Sequence, residues 1–217
     1  MYVNRITFSI EKNKFKEKDW IAFNRVSSYL EELLHQLLPK NVNLGGFGFF
    51  SNKLQTTSIP DKIKPYGHCI DYYHLIEEDQ VSEFLKLQLN QQLDVLNEYL
   101  KKSIVDISKE HEVDTDLFLN AIAKSPKSYS GFEQKLKVSK NHKSRRIKVD
   151  IVRSVSFKKE NILCRILNKT EATIDEWILE NDTSIYDSSY SYRKSKWNEN
   201  NLEIYDRFDK VLSLIHI

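Results

Sequence analysis

Apolar and polar side chains alternate from the start of the chain. Tyr2, Ile6, Phe8 and Ile10 fall on one face, and Val3, Arg5, Thr7 and Ser9 on the other. A period of two predicts a half-buried strand. Glu11 to Lys18 reads as a charged turn, and Asp19 is the expected cap of a helix, its carboxylate accepting the first free backbone N–H groups. That helix carries Trp20, Phe23, Ser27, Leu30, Leu34 and Leu37 on one stripe and ends at Pro39. A strand is expected within 47–57 and a loop at Pro60 and Pro65. From Glu77 to about Ser108 the 3-to-4 spacing of Val81, Phe84, Leu85, Leu89, Leu93, Leu96, Leu100 and Ile104 predicts one long helix. A shorter helix, capped by Asp114 or Thr115, runs through Ala123 and closes at Ser125-Pro126.

The pattern changes after residue 126. Arg146–Phe157 and Asn161–Asn168 alternate β-branched residues and are separated by a short polar turn, which predicts an antiparallel hairpin. Thr173 with Glu176 has capping-box spacing and predicts a short helix carrying Trp177. Ser189–Trp197 alternates and reads as a strand. Ile204, Tyr205, Phe208, Val211, Leu212 and Ile215 favour a terminal helix, with a strand through 210–216 as the rival. The expected class is therefore α+β: a helix-dominated N-terminal half (strand, helix, long helix) packed with an antiparallel sheet built mainly from the C-terminal half. A length of 217 residues fits a single domain, with a possible subdivision into a helix-rich 1–125 and a strand-rich 126–217.

Glycine adds one detail. Three of the five glycines are Gly45, Gly46 and Gly48, followed by Phe49-Phe50. Neither GxGxxG nor GxxxxGK[ST] spacing is present, so the cluster reads as a bend and not as a phosphate loop. No apolar run approaches the roughly 18 residues of a membrane span, and the start of the chain lacks the pattern of an export signal. Cys69 and Cys164 lie far apart and in no CxxC pair, which fits reduced thiols. A cytoplasmic protein with no membrane partner is the expectation.

Charge changes the picture most. The net charge of +2 hides segregation: residues 71–123 hold four basic and twelve acidic side chains, and residues 124–159 hold twelve basic and two acidic. The acidic block has Glu77, Glu78 and Asp79 in one run and fits a surface that docks a basic partner. The basic block, with Lys140, His142, Lys143, Arg145 and Arg146, fits either phosphate binding or pairing with the protein's own acids. Only Tyr129, Phe132 and Phe157 fall in it as aromatics, few for base stacking. Tyr186, Tyr190, Tyr192, Arg193 and Trp197 form a polar aromatic stretch of the composition that interfaces favour.

Candidate chemistry is sparse. His68, Cys69, Asp71 and His74 cluster without a second ligand pair, so no metal site is expected. Glu133-Gln-Lys135, with Asp106 or Asp114 upstream, loosely matches the D…ExK set of metal-dependent nucleases. No cofactor loop or catalytic constellation appears, and no cofactor is expected. The functional expectation is a non-enzymatic cytosolic protein-binding module, an immunity-type inhibitor of a toxin-like partner. Few Ala, Gly and Pro beside many Lys, Asn and Ile is also the composition of small bacterial proteins from AT-rich genomes. Its contacts would be Glu77, Glu78, Asp79, Tyr186, Tyr190, Tyr192, Arg193 and Trp197. The alternative is a nucleic-acid-binding protein or a metal-dependent nuclease that uses the 135–148 block.

Overall fold

The computed structural model describes residues 5–144, 146–182 and 191–217. The class is α+β. The chain divides into two compact units, Met1–Tyr129 and Ser130–Ile217.

The first unit opens with β1 (Arg5–Ile10), whose alternation buries Ile6, Phe8 and Ile10. α1 (Glu17–Leu37) follows. Asp19 lies inside its first turn, and the capping position belongs to Lys16. The chain then returns as β2 (Phe49–Gln55), parallel to β1, so α1 is the crossover that a parallel pair requires. β3 (Ile63–Tyr66) and β4 (Cys69–Leu75) form a hairpin, and β4 lies parallel to β2. Strand order is β1-β2-β4-β3. Pro65 is therefore not in a loop. It sits in an edge strand, where a missing N–H removes no ladder bond.

The long helix is two helices, α2 (Glu78–Phe84) and α3 (Leu89–Ile107). Apolar spacing runs straight across the gap, but two local stops interrupt it. The Gln88 N–H donates to Gln91 Oε1 at 3.0 Å, opening α3 with its own cap. Gln92 Nε2 donates to the Phe84 carbonyl at 3.1 Å, taking up one of the last carbonyls of α2. α4 (Thr115–Lys124) ends at Ser125-Pro126 as expected. Asp114 precedes it, yet its carboxylate accepts the Asn43 N–H at 2.6 Å and so ties the 42–45 segment to the entry of α4.

Glu31 of α1 lies against β1, its Oε1 accepting the Phe8 N–H at 3.0 Å. Burial raises this carboxyl from 4.5 to about 7, against the lowering effects of the Phe8 N–H and Arg5. A raised carboxyl favours the protonated form in the folded chain. Its stabilisation is complete below pH 4.5 and is lost as pH rises through 7. Glu31→Gln keeps the acceptor and removes the charge. At pH 8 it should raise stability by about 1–3 kcal/mol and flatten the loss between pH 5 and 8, read by urea unfolding at each pH. An unchanged pH profile would contradict a buried carboxylate.

Among its described residues the second unit is built mainly of strands. β5 (Phe132–Lys135), β6 (Lys140–Asn141), β7 (Ile147–Val155), β8 (Glu160–Asn168) and β9 (Thr173–Asp182) form one antiparallel sheet in the order β5-β7-β8-β9, with β6 also on β7. The β7–β8 hairpin is the one read from the alternation. The Thr173–Glu176 segment is strand, not helix: Trp177 pairs with Cys164 and Ile178 with Leu163. Pairing along all of β8 outweighs a local capping signal. β10 (Lys194–Asn198), β11 (Asn201–Tyr205) and β12 (Val211–His216) make a second sheet. The terminal helix is also absent. Asp206 Oδ1 accepts the N–H groups of Phe208 and Lys210 at 2.8 and 2.9 Å and pins a turn inside the apolar spacing. Within this unit both sheets contribute to one core, which includes Val149, Ile151, Ile162, Cys164, Leu202, Ile204 and Ile215.

Candidate functional site

In the first unit, the ends of β2 and β4 and the faces of α1, α2 and α3 leave an apolar cleft of about 250 Å³. Phe23, Leu54, Val81 and Phe84 form its inner wall, and Val95 and Tyr99 of α3 line it too. Phe23 and Phe84 meet with ring centroids 5.5 Å apart. The break between α2 and α3 leaves Leu87 outside both helices, 38% exposed and lining the cleft. Gln80 and Glu83 of α2 are the polar residues of the lining. Glu77, Glu78 and Asp79, all exposed, begin α2 immediately before Gln80. An apolar slot therefore adjoins a run of carboxylates on one short helix. That is the composition that accepts an apolar side chain flanked by cations.

The same sheet carries a buried polar row. Parallel pairing sets Asn52 beside Tyr72 and Leu54 beside His74, all on the face of Ile6, Phe8 and Ile10. The Nε2 of His74 lies 3.1 Å from Asn52 Oδ1, and its ring is 4.7 Å from those of Tyr72 and Tyr99. Burial, helped by Lys102 and Lys62 and opposed by Asp106, lowers His74 from 6.5 to about 3, so the imidazole is neutral. Tyr72 donates to Asp106 Oδ2 at 2.5 Å, and Lys109 Nζ holds the other carboxylate oxygen at 2.6 Å. The Tyr72–Asp106 bond ties sheet to α3, while Asn52 Nδ2 is buried with no hydrogen-bond partner among the described residues. His74 at 4% exposure offers no accessible base.

The pleat of β4 also separates the suspected ligand cluster. Cys69 and Asp71 lie on the face opposite His74, where Lys53 reaches Asp71 at 3.3 Å. Among the described residues no group of three potential ligands converges on one point. The D…ExK residues are likewise engaged elsewhere. Both Nη groups of Arg165 grip Glu133 at 2.6 Å, and Lys135 Nζ pairs with Asp150 Oδ1 at 2.5 Å. Asp106 and Asp114 are bound within the first unit as described above.

The basic block is split by its own sheet. Lys135 and Lys148 face Asp150, and Lys148 also meets Glu171 at 2.8 Å. These acids belong to the second unit, not to the acidic helices. Lys140, Lys143 and Arg146 are exposed at the β6–β7 tip, and Arg145 lies outside the described residues. His142 is half-buried against Trp197, ring centroids 4.8 Å apart. The aromatic that accompanies the basic tip thus comes from β10, far along the chain, which sequence order conceals.

Of the aromatic stretch, Tyr186 and Tyr190 lie outside the described residues. Tyr192 is not a surface group: it is 8% exposed in the core of the second unit, and its hydroxyl donates to Glu180 at 3.0 Å. Burial first, then Glu180, raises its pKa. Trp197 packs on the same core and donates its indole N–H to the Asn141 carbonyl at 2.8 Å. Arg193 is exposed. Tyr192 precedes β10, outside any strand, and is buried by packing on that core. The cleft residues Leu87, Val95 and Tyr99 were not singled out from the sequence. Leu87, an apolar residue off the helical stripe, was the available signal.

Compared with known protein families, curated proteins and solved structures, the chain matches none. No helix among the described residues is long and apolar enough to cross a membrane.

Proposed function

We propose that this chain is a protein-binding module that receives a basic, apolar-tipped segment of a partner protein in the cleft beside α2. In this reading it is a cytoplasmic immunity-type inhibitor, holding a toxin-like partner by surface complementarity and without chemistry of its own. The observation that carries the reading is the juxtaposition of the Leu87-rimmed apolar cleft with Glu77, Glu78, Asp79 and Glu83 on one helix. Apolar filling of the slot would supply most of the affinity, and the carboxylates would speed the encounter and select cationic flanks. The basic β6–β7 tip supports nucleic-acid binding less well, because the Trp197 indole N–H and the His142 ring are already committed to internal contacts.

The test is selection from a random peptide library displayed on phage. Enriched peptides should combine Lys or Arg with Leu, Phe or Trp. Glu78→Lys/Glu83→Lys should weaken them about tenfold or more, a change of about 1.4 kcal/mol. Enrichment of acidic peptides, or binding indifferent to the charge reversal, would defeat the reading. The inhibitor assignment has its own check: a natural partner should arrest growth when expressed alone and lose that effect on co-expression.

A further inference from the structure

Every sheet has two edges, and an edge strand shows unpaired N–H and C=O groups to any strand that comes near. Folded chains guard such edges with charge, proline or a covering element. Among the described residues, five of the six edges follow that rule. β1 has Arg5 and the Glu31 carboxyl on its Phe8 N–H, and β3 has Lys64 and Pro65. β5 presents Glu133 and Lys135, β9 presents Asp175, Glu176 and Glu180, and β10 presents Lys194 and Lys196.

β12 is the exception. Its six residues, Val211-Leu-Ser-Leu-Ile-His216, contain no Lys, Arg, Asp, Glu or Pro, in a chain that is 29% charged. Its only strand partner among the described residues is β11. Ile215 points into the core, while Val211, Leu212 and Leu214 are 48%, 42% and 60% exposed. An apolar edge of this kind is an open pairing site.

We propose that β12 pairs antiparallel with β12 of a second copy of the chain, about a two-fold axis through Ser213. The strand's own symmetry singles out a second copy as occupant: about Ser213 it reads Val-Leu-Ser-Leu-Ile, so Val211 meets Ile215 and Leu212 meets Leu214 across the axis. Like charges at both 212 and 214 would oppose each other in that pairing. This strand carries none. In the register centred on Ser213, Leu212 lies opposite Leu214 of the second copy, and the reverse holds across the axis. The four leucines then form one stripe on the outward face, and the two three-stranded sheets join edge to edge. The contact is small, so the dimer is a weak one that forms in the micromolar range. This inference is independent of the cleft beside α2.

Light scattering after size exclusion, from about 1 to 100 µM, tests it. The molar mass should rise toward twice the 25.7 kDa of one chain. Leu212→Lys/Leu214→Lys should stay monomeric at about 100 µM with an unchanged circular dichroism spectrum. Leu212→Lys/Leu214→Glu places Lys opposite Glu in the proposed register and should restore the dimer. A wild-type chain that stays monomeric would overturn the proposal. So would a double-lysine variant that still dimerises, or a Lys/Glu variant no better than the double-lysine one.

Discussion

Glu160→Ala is expected to cost about 3–5 kcal/mol, a large share of the roughly 5–15 kcal/mol that holds an ordinary domain folded. Glu160 and Arg153 are each 1% exposed, and Arg153 Nη2 donates to Glu160 Oε2 at 2.9 Å. They sit diagonally on the β7–β8 hairpin, on the sheet face that also buries Val149 and Ile151. A guanidinium cannot shed its proton to escape burial. Removing the carboxylate therefore leaves a buried cation without its main counter-charge. The ion pair itself adds little net stability, because both groups are taken out of water to form it. Arg153→Met/Glu160→Leu should accordingly recover most of the loss. Urea unfolding of the three chains checks this. A single-site cost below about 1 kcal/mol would mean that water reaches the pair.

Gly45→Ala should be the second large effect, about 1–3 kcal/mol. Gly45 has φ +59, and an added Cβ would lie 2.6 Å from the Cβ of His111. Its N–H donates to the Glu112 carbonyl at 2.8 Å, next to the Leu44–Val113 bridge. The close approach is thus held from both sides. Gly46 separates the two causes. It has φ +83 but open space around its Cβ position, so Gly46→Ala should cost only the backbone strain, about 1 kcal/mol. Thermal unfolding of both variants reads the difference. Equal costs would show that His111 moves aside.

The glycine bend, α1 and the β7–β8 hairpin were legible because each is decided locally, by Pro39, by positive φ or by a period of two. Three elements were not. The α2–α3 break hides under a continuous apolar stripe, since Gln88 at the cap is not a residue that usually announces a helix start. β9 carries a capping-box spacing that pairing with β8 overrides. The terminal hairpin imitates helical spacing because the Asp206–Lys210 turn shifts the register. The same break explains the candidate site. Glu77, Glu78 and Asp79 stand out as a charge run, but the slot beside them exists only once α2 and α3 separate and free Leu87. Tyr192 failed as a contact for the opposite reason. It lies just before β10 and packs into the core, and composition carries no sign of direction.

Methyl and amide NMR shifts of the labelled chain, titrated with a selected basic peptide, test the cleft most directly. Shifts are expected at Ile76, Val81, Leu87 and Val95, with no saturable change on the β6–β7 tip, and Leu87→Asp should abolish them while the spectrum elsewhere stays native. Saturable shifts confined to Lys140, Lys143 and Arg146, or a cleft response that survives Leu87→Asp, would contradict protein recognition at this site.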